Sequence, residues 1–232
     1  MTDLSKRSTL PEKMDDANAL PDHIIQALEE LETVNKLLGG FNVTLSALDK
    51  LKLDTKLKVV MDVGSGGGDV LRKIWMWGKR NNKNLRLIGV DRNPIMTSFA
   101  SAKANHLGNL QFITNDIFDD ALLTLKPDVV ISSLFCHHFD DEDLIHLVKR
   151  MAALSSSAVV INDLHRHWLA YHSIKIITSL FSKTPLVKYD APLSVARSLT
   201  RKEWMWILEK AGVTNYIIKW MWAWRWQIIL YK

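Results

Sequence analysis

Val59-Val60-Met61-Asp62-Val63-Gly64-Ser65-Gly66-Gly67-Gly68-Asp69 is the stretch that decides the fold. A short apolar run ends in an acid, passes into glycines at every second position, and leads into a segment of helical character. That order describes a strand, a tight turn and a helix N-terminus, with the glycines letting backbone come close to a ligand. A second apolar run, Leu85 to Val90, follows about twenty residues later and ends in Asp91, placed to take both hydroxyls of a ribose. Together these signals specify a nucleoside-containing cofactor.

The spacing of the turn says which kind. A dinucleotide fingerprint carries glycine at its first, third and sixth positions, whereas Gly64, Gly66 and Gly68 occupy the first, third and fifth, and the sixth is Asp69. A carboxylate at the helix opening would repel a pyrophosphate. It suits a cofactor with an amino-acid moiety and a positive charge. Asp62, Gly64, Gly66 and Gly68 resemble the first motif of the class I S-adenosylmethionine-dependent methyltransferases, an acidic residue followed by GxGxG.

That resemblance implies S-adenosylmethionine as cofactor and S-adenosylhomocysteine as product. Asp62 is then expected to hold the turn and to meet the cofactor's amino-acid end, directly or through water, with Gly64, Ser65, Gly66 and Gly68 around it. Asp91 is expected on the ribose, with Arg92 along the adenine. In the family, an acid after the third strand takes the adenine amino group and the next apolar residue packs on the ring. Asn115-Asp116-Ile117 supplies both, although an Asx turn with a core isoleucine would read the same way. Ser133, closing the fourth strand, completes the expected cofactor set.

The chain has 232 residues, 47% of them hydrophobic, and a net charge of +5, which is one domain with a full core and an N-terminal extension. Its basic residues are dispersed, so no nucleic-acid footprint is expected. The single Cys136 has no partner for an internal disulfide. A polar, acidic start and the lack of a membrane-length apolar run lead to the expectation of a cytoplasmic protein.

Residues 1–22, with Pro11 and Pro21, read as mobile in the free protein. Apolar residues recur at helical spacing from Ile24 to Leu38, Gly39-Gly40 stops that helix, and Phe41 to Leu51 forms a second. Strand signals then fall at 58–63, 85–90, 110–114, 128–133, 158–162, 215–221 and 225–231. Helix signals fall near 68–80, 94–105, 141–154 and 201–211. Alternation of this kind predicts an α/β, Rossmann-like sheet of seven strands, mostly parallel, with helices on both faces and an antiparallel last strand. Two units are expected: residues 1–52 as a cover, and 53–232 as the core. Residues 163–200 break the alternation and follow the fifth strand, where open α/β sheets bind ligands, so they read as a substrate lid. Within it Tyr171, Ile174, Ile177, Leu180 and Phe181 lie near helical spacing, while Ser194 and Arg197 either reach the pocket or tie the lid down.

The candidate chemistry is carried by histidines. Ser132-Ser133-Leu134-Phe135-Cys136-His137-His138-Phe139 lacks the Asn/Asp-Pro-Pro-aromatic motif of DNA amino methylation and resembles the small-molecule branch that methylates quinones and polyketides. One of His137 and His138 is expected to line the pocket, the other equally to cap the next helix. Asn162-Asp163-Leu164-His165-Arg166-His167 follows the fifth strand. His165 is the first choice of general base, with His137 or His138 second, because imidazole titrates near neutrality. These groups could instead fasten the root of the lid. Two adjacent histidines and a His-x-His can bind zinc, yet apart from Cys136 no neighbouring ligand completes a set, so no metal is expected. Trp220, Trp222, Trp224 and Trp226 alternate, as an extended segment with one aromatic face would. An exposed share would serve a dimer or a peripheral membrane contact.

Pro11-Glu12-Lys13-Met14-Asp15-Asp16 and Leu31-Glu32-x-x-Asn35-Lys36-x-Leu38-Gly39-Gly40 resemble bacterial methyltransferases of polyketide and aryl-lipid pathways, in which the leading segment closes over the cofactor. The expected activity is O-methylation of a small, apolar phenolic, polyketide or quinone-type acceptor by a monomer or homodimer. The rivals are N- or C-methylation of another small molecule, a nicotinamide-dependent oxidoreductase, a macromolecular methyltransferase, and an inactive cofactor-binding partner.

Overall fold

A computed structural model describes residues 2–16 and 19–232. Seven strands, β1 (Lys58–Val63), β2 (Leu85–Asp91), β3 (Leu110–Thr114), β4 (Val129–Ser133), β5 (Ala158–Leu164), β6 (Tyr216–Met221) and β7 (Arg225–Tyr231), form one sheet in the order β3-β2-β1-β4-β5-β7-β6. Strands β1 to β5 pair in parallel, and β7 runs antiparallel to both β5 and β6. Both neighbours of β1, β2 and β4, lie beside it in opposite winding directions, which opens a crevice beyond their carboxyl ends.

Eight helices accompany the sheet among the described residues: α1 (Pro21–Leu37), α2 (Gly40–Lys50), α3 (Asp69–Arg80), α4 (Pro94–Ala104), α5 (Asp141–Leu154), α6 (Trp168–Phe181), α7 (Pro185–Arg197) and α8 (Arg201–Lys210). The twofold side-chain period of each strand sorts its residues between two layers. Val60, Val129, Val160 and Ile229 face α2 and α3, where Leu48, Leu71 and Ile74 meet them. Met61, Val130, Val159 and Ile228 face α5 and α8, packing on Leu144, Leu147, Trp204 and Ile207. Central strands are therefore apolar on both sides, as parallel sheets require. Local chemistry sets the ends. Asp140 accepts from Asp143 N–H at 2.9 Å at the start of α5, and Thr200 with Glu203 forms a capping box on α8.

Three expectations change. The segment 163–200 holds two long helices, α6 and α7, where the sequence showed one. Pro185 and Pro192 mask α7, yet Pro185 stands in its first turn, where its missing N–H costs nothing. The leader is packed rather than loose. Ser8 N–H donates to Ala196 C=O at 3.0 Å, the Asp190 carboxylate accepts from Lys13 and Met14 N–H at 2.8 and 3.0 Å, and Met14 enters a small core with Ile24, Ala27 and Val187. No local periodicity announces this, because every partner is distant in sequence. Met1, Ala17 and Asn18 of that leader lie outside the described residues. Finally, the tryptophan alternation does not make one aromatic face. A turn at 222–224 splits it, so Trp220 sits opposite a buried Trp226 while Trp222 stands 65% exposed at the tip. Among the described residues, no helix is long and apolar enough to cross a membrane.

Candidate functional site

The glycine turn lies where β1 gives way to α3, and its glycines have different tasks. Gly64 has φ +68°, and a Cβ there would lie 2.2 Å from the Phe135 ring. Gly68 has φ +71°, and its Cβ would strike Phe112 at 2.4 Å, so it serves helix–strand packing rather than the ligand. Gly66 faces open space and donates its N–H to Asp91 Oδ2 at 2.9 Å, while Asp91 Oδ1 accepts from Asn93 N–H at 2.9 Å. The acid that ends β2 thus fixes the turn that ends β1. Burial raises the Asp91 carboxyl, against the pull of these two amides.

Asp62 is placed differently from expectation. It is 1% exposed, lies behind the turn outside the cavity wall, and its Oδ1 has no hydrogen-bond partner among the described residues. Burial, then Asp69 and Asp91, push its carboxyl well above the usual range. It is the penultimate residue of β1, and the expected contact with the cofactor's amino-acid end, direct or through water, is not made by a side chain on the cavity wall.

A cavity of about 780 Å³ runs from this turn to the lid. Ser65, Gly66, Asp91, Arg92, Asn115, Asp116, Ile117 and Ser133 all line it. Asp116 also accepts from Phe118 N–H at 2.9 Å, so the Asx turn is real and shares the site. Its wall also carries an apolar share, with Phe139, Ile174, Ile177, Val195 and Trp222, and with Phe135 against the glycine turn itself.

A charged cluster lines the same cavity. His137, 2% exposed, gives Nδ1–H to Asp163 Oδ1 at 2.6 Å and turns Nε2 toward Glu12 Oε1 at 3.5 Å. His138 gives Nδ1–H to Asp15 Oδ2 at 2.8 Å, and its Nε2 lies 3.8 Å from Glu12 Oε2. Ser194 donates to Glu12 Oε1 at 2.8 Å. Burial alone would lower the His137 pKa, but Asp163 and then Glu12 outweigh it and lift the imidazole to about 10. Burial opposes ionisation of Glu12 and Asp163 as well, yet both histidines hold these carboxyls below their usual range. His137 is therefore an imidazolium clasped by two carboxylates at neutral pH. Arg197 donates to His137 and His138 C=O at 3.2 and 2.7 Å and to Leu10 C=O, so it ties lid, leader and cluster together. Of the two alternatives the sequence left open, Ser194 lines the cavity, while Arg197 ties the lid down.

Glu12, His137 and His138 offer ligand atoms within 4.8 Å of one another, a spacing open to a divalent cation. Each already has a charged partner within the cluster, which accounts for the arrangement without an ion. Cys136 turns away, buried against Ser132 Oγ at 3.6 Å, with its thiol pushed up by burial.

His165 is not brought to this cavity. Its ring packs 4.6 Å from Trp226, its backbone bridges to Leu199, and its Nδ1 is buried without a partner among the described residues. Burial, with His167 and Arg166 nearby, pulls its pKa down to about 4. It fastens the foot of the lid. The sequence placed it near a strand end, but β5 continues to Leu164 and carries the ring under the lid.

Residues 60–157 match a family described as a methyltransferase domain. The chain carries a methyltransferase domain of the class I, S-adenosylmethionine-dependent type. No curated protein matches its sequence. Among solved structures, the methyltransferase resembles an S-adenosylmethionine-dependent methyltransferase from Aquifex aeolicus at 18% identity and TM-score 0.62, over 92% of this chain and 98% of that one. It resembles human N-acetylserotonin methyltransferase in complex with S-adenosylmethionine at 17% identity and TM-score 0.63, over 91% of this chain and 56% of the human one. Magnesium protoporphyrin IX methyltransferase from Synechocystis PCC 6803, with bound S-adenosylhomocysteine, matches at 19% identity and TM-score 0.52, over 82% of this chain and 79% of that one. At such identities the likeness is one of fold.

S-adenosylmethionine is the cofactor of this methyltransferase, and the glycine-turn end of the cavity fits it. Asp91 and Arg92 are available to the nucleoside, and Asp116 and Ile117 lie beyond. Residues of the wall hold buried polar atoms that the protein leaves unpaired: Ser65 Oγ, Asn35 Oδ1, and Arg225 Nε and Nη1. Sequence reasoning passed over Glu12 as a catalytic candidate, and also Asp163, Asn35 and Arg225. Glu12 and Asn35 stood in quoted motifs, but nothing local marks Arg225 as more than a strand residue.

Proposed function

We propose that this methyltransferase methylates a hydroxyl oxygen on a small, largely apolar acceptor of phenolic, polyketide or quinone type. The reading rests on one observation: Glu12 and His137 meet in the same cavity that holds the glycine turn and an apolar wall. Asp91, Arg92, Asp116 and Ile117 are assigned to holding the nucleoside, and Ser133 to closing that wall. Bound S-adenosylmethionine supplies an electrophilic methyl group on a sulfonium.

The protein's part is to align the acceptor and to manage one proton. The apolar wall of α6 and α7 holds the acceptor ring so that its oxygen faces the methyl in line. The acceptor hydroxyl gives its proton to the Glu12 carboxylate. The imidazolium of His137, fixed by Asp163, stabilises the negative charge that develops on that oxygen. A new O–C bond forms as the C–S bond breaks, and its electron pair returns to sulfur, leaving neutral S-adenosylhomocysteine. His138, braced by Asp15, keeps Glu12 ionised until the acceptor arrives. The leader that carries Glu12, with α1, α2, α6 and α7, is assigned as a cover over both ligands.

A panel of phenols, resorcinols and quinols, assayed for transfer of a labelled methyl group beside amines and carbon acids, tests the reading. Turnover on hydroxyl acceptors, abolished in His137→Asn, supports it. Transfer only to nitrogen or carbon, or His137→Asn at wild-type rate, overturns it.

A further inference from the structure

We infer that Arg225 is the receptor for the carboxylate at the cofactor's amino-acid end, with Asn35 and Asp69 receiving the ammonium beside it. The inference deepens the cofactor assignment and rests on it. Arg225 opens β7, opposite Leu164 at the carboxyl end of β5, the edge of the sheet where ligands bind. It is 3% exposed, it lines the cavity, and its Nε and Nη1 donate to nothing among the described residues. Asp163 and Asp69 act on it through space only, and burial pulls its pKa down to about 10. A buried guanidinium with two idle donors is costly unless a ligand anion completes it.

The neighbouring atoms make the match specific. Asn35, 5% exposed, gives its Nδ2–H to Asp69 Oδ2 at 3.2 Å and leaves Oδ1 without a donor. Gly40 shows that Arg225 and Asn35 share one small space: a Cβ at Gly40 would fall 1.7 Å from Asn35 Oδ1 and 2.9 Å from Arg225 Cζ. The site therefore holds idle guanidinium donors beside an idle amide acceptor and a carboxylate. That pattern complements the α-carboxylate and α-ammonium of an amino acid. Asp62, which the sequence assigned to this end, is 1% exposed and does not line the cavity.

Calorimetric titrations with S-adenosylhomocysteine and 5′-methylthioadenosine, which keeps the nucleoside thioether and lacks the amino-acid head, provide the test. In Arg225→Gln the affinity for S-adenosylhomocysteine should fall about 10- to 100-fold, as for loss of a charge-assisted pair, while 5′-methylthioadenosine binds as in wild type. Equal losses for both ligands, or no loss for either, overturn the inference. A second measurement needs no variant: wild-type protein should bind decarboxylated S-adenosylhomocysteine about 10- to 100-fold more weakly than the parent compound. Equal affinity overturns the inference even if Arg225→Gln fails to fold. Wild-type protein that binds none of the three ligands overturns the cofactor assignment itself and the inference with it.

Discussion

The two ends of the cavity are built by different means. The residues assigned to the cofactor stand in short motifs: the turn after β1, then Asp91-Arg92, then Asn115-Asp116-Ile117, each at or just past the end of a parallel strand. Those assigned to the acceptor, Glu12, His137, Asp163 and Ser194, come from four separate segments and meet only in space. A site at strand ends is inherited from the topology, so short motifs carry it. A site closed by a leader and a lid is assembled by long-range contacts, and its chemistry is free to vary.

If that division is real, mutations at the two ends should fail differently. The largest effect is expected from Glu12→Gln, which removes the proton acceptor. Turnover should fall by about 10²- to 10⁴-fold, with S-adenosylhomocysteine affinity unchanged by titration. A parallel loss of cofactor affinity would merge the two ends. Asp91→Ala should do the reverse, weakening S-adenosylhomocysteine by about 1–3 kcal/mol, and unchanged binding would remove Asp91 from the ribose.

Gly64→Ala strains a left-handed residue, worth about 1–2 kcal/mol, and also drives a methyl into Phe135. Chemical denaturation should show at least that loss of stability, and cofactor binding should weaken with it. Stability also carries the signature of the cluster. His137 binds its proton more tightly folded than unfolded, so its contribution is complete below about pH 6.5 and is lost as pH rises through about 10. His137→Asn should flatten denaturation midpoints across that window, and an unchanged slope would mean the imidazolium is not clasped. The smallest effect is expected at His165, whose pKa of about 4 makes the folded state lose stability as pH falls from about 6.5 toward that value. His165→Ala should leave neutral turnover unchanged and lessen the acid loss. A collapse of turnover would return His165 to the site.

Particular residues show where the sequence was legible. The seven strands, the glycine turn and Asp91 could be read because each depends on neighbours a few residues away, although the end of β5 ran two residues past its signal. Asp163 was read past in favour of His165 two residues on, since strand period alone does not say which side chain meets a histidine from another segment. Glu12 stood in a recognised motif, but its role depends on His137, 125 positions later. Its segment has no periodicity, so it read as mobile.

By itself, then, the sequence determined the α/β sheet, its antiparallel last strand and its cofactor, because apolar period and glycine spacing are local and the topology that follows from them is narrow. The tertiary structure alone decided that His137 is clasped by Asp163, that Glu12 faces it, and that Arg225 and Asn35 hold unpaired polar atoms in the cavity wall. Charge state and unpaired donors are properties of burial and of partners that converge from distant segments, and no stretch of sequence holds them on its own.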